Sequence, residues 1–354
     1  MATMRDVALR AGVSMSTVSF VVNDTKPVSA ATRGRVEHAM LELGFRRNVL
    51  ARALASRETR ILAIVVPALE HPLSRTALEV VTSAAAEAVD RGFHLVLLPM
   101  SNDVTQLDDF VAGGLVDGLL LMEVQSDDPR VERLEKLGVP FLVMGRTADP
   151  SRYPWVDMDF DATVREGLGH LHSLGHRNVP LVIGQISDGR LPGYGPLVRT
   201  EQAYLSAMAE YGEAPLVIPC AQDPVAGRHA ASEVFERSPG TTAVMVMNEE
   251  AAFGVAHGIQ RSGRRIPDDV SVLSLVTSRR AAGIAEPTLT ALLAPSTDLG
   301  RLAVGGLIDQ IKGNGEGDGV RQATVACTLA VAGSTGPVST QQPSRGTHRR
   351  ATST

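Results

Sequence analysis

Hydrophobic and polar positions along the chain follow two successive patterns, and the change comes near residue 60. Before it, apolar residues recur at helical spacing in short runs. Val7, Ala8 and Ala11 share one face of a short helix, and Gly12 permits a sharp turn. Ser14 can cap a second helix, whose Val18 and Val22 turn back to the first. The small side chains of Ala8 and Ala11 let the two helices cross closely. Ser29 is the predicted cap of a third helix that runs to Leu43 and stops at Gly44, with Val36, Met40 and Leu43 closing a three-helix core. This arrangement leaves Met15, Ser16, Thr17, Ser19 and Phe20 pointing outward, where the second helix of a helix-turn-helix meets base edges and phosphates. The following stretch, Val49 to Ser56, is too short for a stable isolated helix and suits a segment that folds only when clamped.

From Arg60 onward, apolar runs alternate with amphipathic stretches. Ile61 to Val66 is continuously apolar, as a buried parallel strand requires. Further strands are predicted at His94–Pro99, Gly118–Met122, Pro140–Met144, Val179–Gly184, Leu216–Pro219, Ala243–Met247 and Val270–Leu275. Helices are predicted between them, among others at Thr76–Arg91, Thr163–Leu174, Arg199–Tyr211 and Ala226–Arg237. The rhythm is that of doubly wound α/β layers, which bind ligands at the carboxyl ends of their strands. Residues 337 to 354, rich in Ser, Thr, Pro and Arg, are predicted to be a disordered tail, and no leucine heptad marks a coiled coil there.

Charge divides along the same line. Residues 1–60 carry ten Lys/Arg against five Asp/Glu, hence +5; the rest carries 24 against 34, hence −10, within a whole-chain charge of −5. A basic head on an acidic body is the electrostatic footprint of a protein that presents one end to phosphate. Cys220 and Cys327, the only cysteines, sit in apolar strand-like segments and are expected to be buried thiols. No apolar run follows Met1 and no stretch reaches membrane-spanning length, so a cytoplasmic protein is expected. No dinucleotide fingerprint, phosphate loop or His-Glu-x-x-His motif is present, and His172 and His176 belong to a Leu-Gly-His-Arg helix end rather than to a metal site. No catalytic residue, metal or cofactor is expected.

Residues 3 to 56 resemble the DNA-binding headpiece and hinge of the lac repressor and purine repressor family. The matching motifs are Asp-Val-Ala, Ala-Gly-Val-Ser, Ser-Thr-Val-Ser, Val-Ser-x-x-Thr-Arg, Leu-Gly-Phe and Ala-Arg-x-Leu. More weakly, the resemblance continues to about Thr335. It implies an all-α headpiece over 1–47, a hinge helix and linker over 48–60, and a core over 61–335 built of two doubly wound subdomains like periplasmic sugar-binding proteins. One subdomain would take 61–160 plus 292–320, the other 161–291 plus 321–335, leaving 336–354 as tail. The function implied is a homodimeric transcriptional regulator, a repressor, on near-palindromic double-stranded operator DNA. Met15, Ser16 and Phe20 take the base-reading positions, Thr17, Ser19, Asn23 and Thr32 the phosphate contacts, and Ala51, Arg52 and Leu54 the minor-groove hinge, with Leu54 as the wedge. Met15 and Phe20 are less polar than the residues common there and suit contact with thymine methyls.

In this family a small effector, often a sugar or nucleobase, sits between the subdomains. The chain departs from the pattern there. An Asn-Pro-Phe-Phe type motif is replaced by His71-Pro72-Leu73-Ser74, and a ligand-binding Asp by Val276. Thr200 occupies the place of a ligand-gripping Arg, with Arg199 one residue away and about 100° round the helix. Asn248-Glu249 keeps an Asn-Asp-like pair, and Asp159 keeps its place ahead of Phe160. A sugar needs its hydroxyls matched, because each unpaired buried polar group costs about 1–3 kcal/mol. The expectation is therefore an atypical cleft, one that takes a ligand unlike a sugar or senses nothing, lined by Leu73, Ser74, Asp159, Phe160, Thr200, Asn248, Glu249 and Val276. The alternatives are a conventional sugar-responsive repressor of carbohydrate genes and, more distantly, a small-molecule binding protein with no role on DNA.

Overall fold

The computed structural model describes residues 2–23, 26–45, 58–67, 73–100, 104–185, 193–313 and 322–339. They form two compact units, divided between Arg60 and Ile61.

The first unit holds three helices, α1 (Met4–Ala11), α2 (Met15–Asn23) and α3 (Ala30–Glu42). Each begins where a hydroxyl satisfies an otherwise orphaned amide. Thr3 Oγ1 accepts from the Asp6 amide while the Asp6 carboxylate accepts from the Thr3 amide, a reciprocal capping box. Ser14 Oγ accepts from the Thr17 amide at 3.1 Å, and Ser29 Oγ from the Thr32 amide at 3.3 Å. Gly12 ends α1 at φ +65°, a conformation that costs glycine nothing. Val7, Ala8, Ala11, Val18, Val21, Val22, Val36 and Ala39 form the core. Leu43, expected inside, is 37% exposed. It is the C-cap of α3, and Ala39, one turn above, is the buried residue that joins the core.

The second unit consists of two lobes. The first contains β1 (Ile61–Val66), α4 (Arg75–Asp90), β2 (His94–Pro99), α5 (Val104–Ala112), β3 (Gly118–Met122), α6 (Pro129–Leu137), β4 (Phe141–Met144) and β5 (Trp155–Met158). The second contains α7 (Phe160–Ser173), β6 (Leu181–Gly184), α8 (Gly195–Tyr211), β7 (Val217–Cys220), α9 (Pro224–Arg237), β8 (Ala243–Met247), α10 (Glu249–Arg261), β9 (Ser271–Thr277), α11 (Arg279–Ala282) and β10 (Thr290–Leu293). The chain then returns with α12 (Ser296–Ile311) and β11 (Gln322–Val325) to the first lobe, and ends with β12 (Thr328–Ala330) in the second. The sheet orders are β11-β5-β4-β3-β1-β2 and β12-β10-β9-β8-β6-β7. All pairings are parallel except β10–β12, which is antiparallel. Each sheet is covered on both faces by apolar clusters, which is why strands such as β1 and β3 are apolar without alternation.

The lobe boundaries differ from the sequence reading. Residues 322–325 pair with β5 from Gln322↔Trp155 to Val325↔Met158, so they belong to the first lobe, and residues 290–293 belong wholly to the second. The chain also stays pinned beyond residue 335. The Gly336 carbonyl accepts from His176 Nε2 at 2.9 Å, and the Val338 amide donates to the Leu174 carbonyl at 2.9 Å. His176 Nδ1 therefore accepts from the Thr242 hydroxyl, a tautomer fixed because a carbonyl can only accept. Cys220 and Cys327 are free and buried, and burial pushes both thiols up to about 11.

Candidate functional sites: a DNA-reading helix and an interlobe cleft

In the head, the turn from Gly12 to Ser14 aims the first residues of α2 outward. Met15 is 55% exposed and Ser16 is exposed, while Thr17, Ser19 and Phe20 are half-buried. Ser14 Oγ lies 2.7 Å from Ser16 Oγ and 2.8 Å from Thr17 Oγ1, so one cap organises both hydroxyls. The ammonium of Lys26 sits 5.2 Å from the centre of the Phe20 ring, which places a cation beside this half-buried aromatic side chain. Thr32 lies in the first turn of α3, its hydroxyl accepting from Ser29 Oγ at 2.9 Å, and Asn23 is the last residue of α2. Ala51, Arg52 and Leu54 lie outside the described residues.

The second site is a cleft of about 680 Å3 between the two lobes, at the carboxyl ends of their strands. Of the eight residues expected there, Leu73 and Ser74 from the first lobe and Asn248, Glu249 and Val276 from the second line this cleft together. Three expected members are elsewhere. Asp159 caps α7, accepting from the Ala162 amide at 2.9 Å, and Phe160 is buried in the second lobe's core. Thr200 faces inward from α8 at 1% exposure, its hydroxyl without a hydrogen-bond partner.

The cleft's charged centre was missed. Asp157 on β5 receives Arg146 Nε at 2.9 Å and Arg199 Nη2 at 3.1 Å, and Arg199 Nη1 also donates to the Arg146 carbonyl at 2.9 Å. The arginine is thus present one position along α8, and it reaches across to the first lobe instead of remaining free for a ligand. Burial draws the Arg199 guanidinium below its ordinary value, opposed by the Asp157 charge. The available signal was an acid inside an apolar strand, Trp155-Val156-Asp157-Met158, because a buried carboxylate must have partners. A second buried pair, Asp128 and Arg130 at 2.7 Å, braces the cleft wall: Arg130 Nη2 donates to the Glu123 carbonyl at 3.3 Å.

Val276 has φ +50°, a conformation costly for a β-branched residue. It sits where the β9–β10 register slips: Ser274 opposes Ala291 but Thr277 opposes Leu293, so β9 carries one extra residue. Such a bulge re-aims a side chain, here into the cleft. The remaining wall is dominated by Met122, Met144, Met158, Met247 and Leu197, with Tyr194 as its aromatic member.

Residues 3–48 match the family model for bacterial regulatory proteins of the lacI family, and residues 168–335 match that of a periplasmic binding protein-like domain. The chain is 32% identical over 317 residues, 88% of its length and 92% of the relative's, to the HTH-type transcriptional regulator CelR of Thermobifida fusca. It belongs to the lacI family. Catabolite control protein A of Priestia megaterium is 27% identical over 85% of this chain and 90% of that one. Among solved structures, a CelR–cellobiose complex superposes with a TM-score of 0.68 at 29% identity, covering 94% of this chain and all of that one. The lac repressor dimer bound to operator gives 0.81 at 23% identity, covering 95% and 99%, and supports the fold. This lacI-family chain is a DNA-binding transcriptional regulator and not an enzyme. Among the described residues no helix is long and apolar enough to cross a membrane.

Proposed function

We propose that this lacI-family regulator is a homodimeric repressor of a near-palindromic operator, read by Met15, Ser16 and Phe20, and that its cleft takes a ligand less polar than a sugar. The exposed start of α2 carries the first half of the reading. Thr17, Ser19, Asn23 and Thr32 would contact phosphate, and the hinge residues Ala51, Arg52 and Leu54 the minor groove. Dimerisation is supported by apolar side chains left at the surface of the first lobe: Leu78 on α4, and Val96 and Leu97 on the edge strand β2, which packs against α4. Two identical heads related by a two-fold axis call for an inverted repeat. Selection from random DNA with the full chain is expected to return one; an unsymmetrical consensus, or tight binding by a demonstrated monomer, overturns the proposal.

The cleft reading rests on one observation: three of its hydrogen-bonding side chains, Asp157, Asn248 and Glu249, are already engaged. Asp157 is shared between Arg146 and Arg199. Asn248 donates to the Ala221 carbonyl and accepts from the Ala251 amide, and Glu249 accepts from side-chain and backbone donors of Thr76, Thr277 and Ser278. Methionines and Val276 supply much of what remains, an adaptable apolar surface. Common mono- and disaccharides are therefore expected neither to raise the melting temperature nor to release operator at millimolar concentration, whereas apolar metabolites should do both. A sugar-responsive repressor is the second reading, favoured by the likeness to the CelR–cellobiose complex and by a volume ample for a disaccharide. If cellobiose both stabilises the core and dissociates the operator complex, that reading replaces ours.

A further inference from the structure

We propose that Glu249 is a latch between the lobes, a positioning residue that sets how far the cleft opens. Glu249 is the first residue of α10 in the second lobe and is only 8% exposed. A buried carboxylate needs several donors, and it has four. From its own lobe, Thr277 Oγ1 donates to Oε1 at 3.0 Å and the Ser278 amide at 2.8 Å. From the first lobe, Thr76 Oγ1 donates to Oε1 at 3.0 Å and the Thr76 amide to Oε2 at 3.4 Å. Thr76 lies in the first turn of α4, where the helix dipole favours a neighbouring negative charge. One carboxylate thus serves a helix start in each lobe.

The division of donors makes the contact a latch and not merely a cap. Parting the lobes removes the two Thr76 donors and admits water, while Thr277 and Ser278 keep the carboxylate oriented for closing again. The opposite side of the cleft is joined differently, through the Gln125–Tyr194 bridge, the Ser126 amide on the Gly193 carbonyl at 2.8 Å, and the Arg199–Asp157 pair. Beside Glu249 the further ion pair, Arg75 with Glu250 at 3.7 Å, is half-exposed and weak. Among the described residues, Glu249 is therefore the buried link on its side. Thr76 and Glu249 both line the cleft, so a ligand there meets the latch directly. The latch is made of protein groups alone and is independent of which ligand the cleft takes.

Hydrogen exchange by mass spectrometry on the full chain tests this. Thr76→Val removes a donor in the first lobe and should raise exchange at the starts of α10 and α11 in the second at least about fivefold. Glu249→Gln, which cannot accept at both atoms, should raise exchange at residues 75–78 in the first lobe by a similar factor. Thr76→Ser keeps the hydroxyl and should match the parent, and amides of β1 should be unchanged in all variants. A response confined to the lobe that carries the substitution overturns the latch and leaves the reading of the ligand untouched. If Glu249→Gln does not fold, Thr76→Val decides alone through the second-lobe amides.

Discussion

Alanine at Gly254 should destabilise the second lobe by at least about 3 kcal/mol, although it adds one methyl group. A Cβ there would lie 2.0 Å from the Pro224 carbonyl oxygen and 2.9 Å from Gly227 Cα. Both obstacles are backbone, so no side chain can swing aside. α9 and α10 would have to separate, loosening the cluster that contains Ala230, Val234, Val255 and Ile259. The expected loss in melting temperature is roughly 6–12 °C for a unit of this size. Gly169 is the control: nothing lies within 4 Å of its Cβ position on α7, so Gly169→Ala should stabilise by about 0.5–1 kcal/mol. Denaturant titration separates the signs. The two buried thiols, raised to about 11, should react with a disulfide reagent at mildly alkaline pH only as the fold opens, earlier in denaturant for Gly254→Ala.

The second large effect is expected at Asp157. Its side chain is 4% exposed and binds two guanidiniums as well as the Met158 amide at 2.9 Å. Asp157→Ala leaves Arg199, itself 17% exposed, a largely covered charge without its carboxylate. Removing one partner of such a pair costs about 3–5 kcal/mol. Asp157→Asn keeps the shape and one acceptor, and about half of that loss is expected for it. Because the pair joins the lobes, both variants should also weaken any ligand response of the operator complex. Thermal unfolding with and without ligand measures the two effects; an Asp157→Ala protein as stable as its parent would remove Asp157 from the cleft's framework.

These residues also mark where the sequence was legible. The head could be read almost throughout, because its caps and small-residue crossing are local. Strands buried on both faces, such as Ile61–Val66 and Ala243–Met247, announced themselves as apolar runs. β5 did not, because Asp157 interrupts its apolar pattern, and the sheet that β11 joins could not be read, because it is chosen by a distant partner, Trp155–Met158. In the cleft, the error at Thr200 came from treating one helical position as decisive. Arginine is long enough to recover the lost angle, and Arg199 reaches the first lobe from the neighbouring position. Phe160 was misplaced for the opposite reason: α7 begins there, turning the ring into the core.

The route of the chain through its lobes has a consequence during synthesis. The second lobe's sheet, apart from β12, and all its helices lie within residues 160–293, one continuous stretch. The first lobe begins earlier but cannot be finished until α12 and β11 have left the ribosome. Leu299, Ala303, Val304, Leu307 and Ile308 of α12 are buried in its core, and β11 closes one edge of its sheet. Vectorial synthesis usually lets N-terminal segments settle first. Here the order is inverted. The first lobe emerges with one face of its sheet covered by α4 alone, and the rest of that face must wait for α12, made when nearly the whole polypeptide is out.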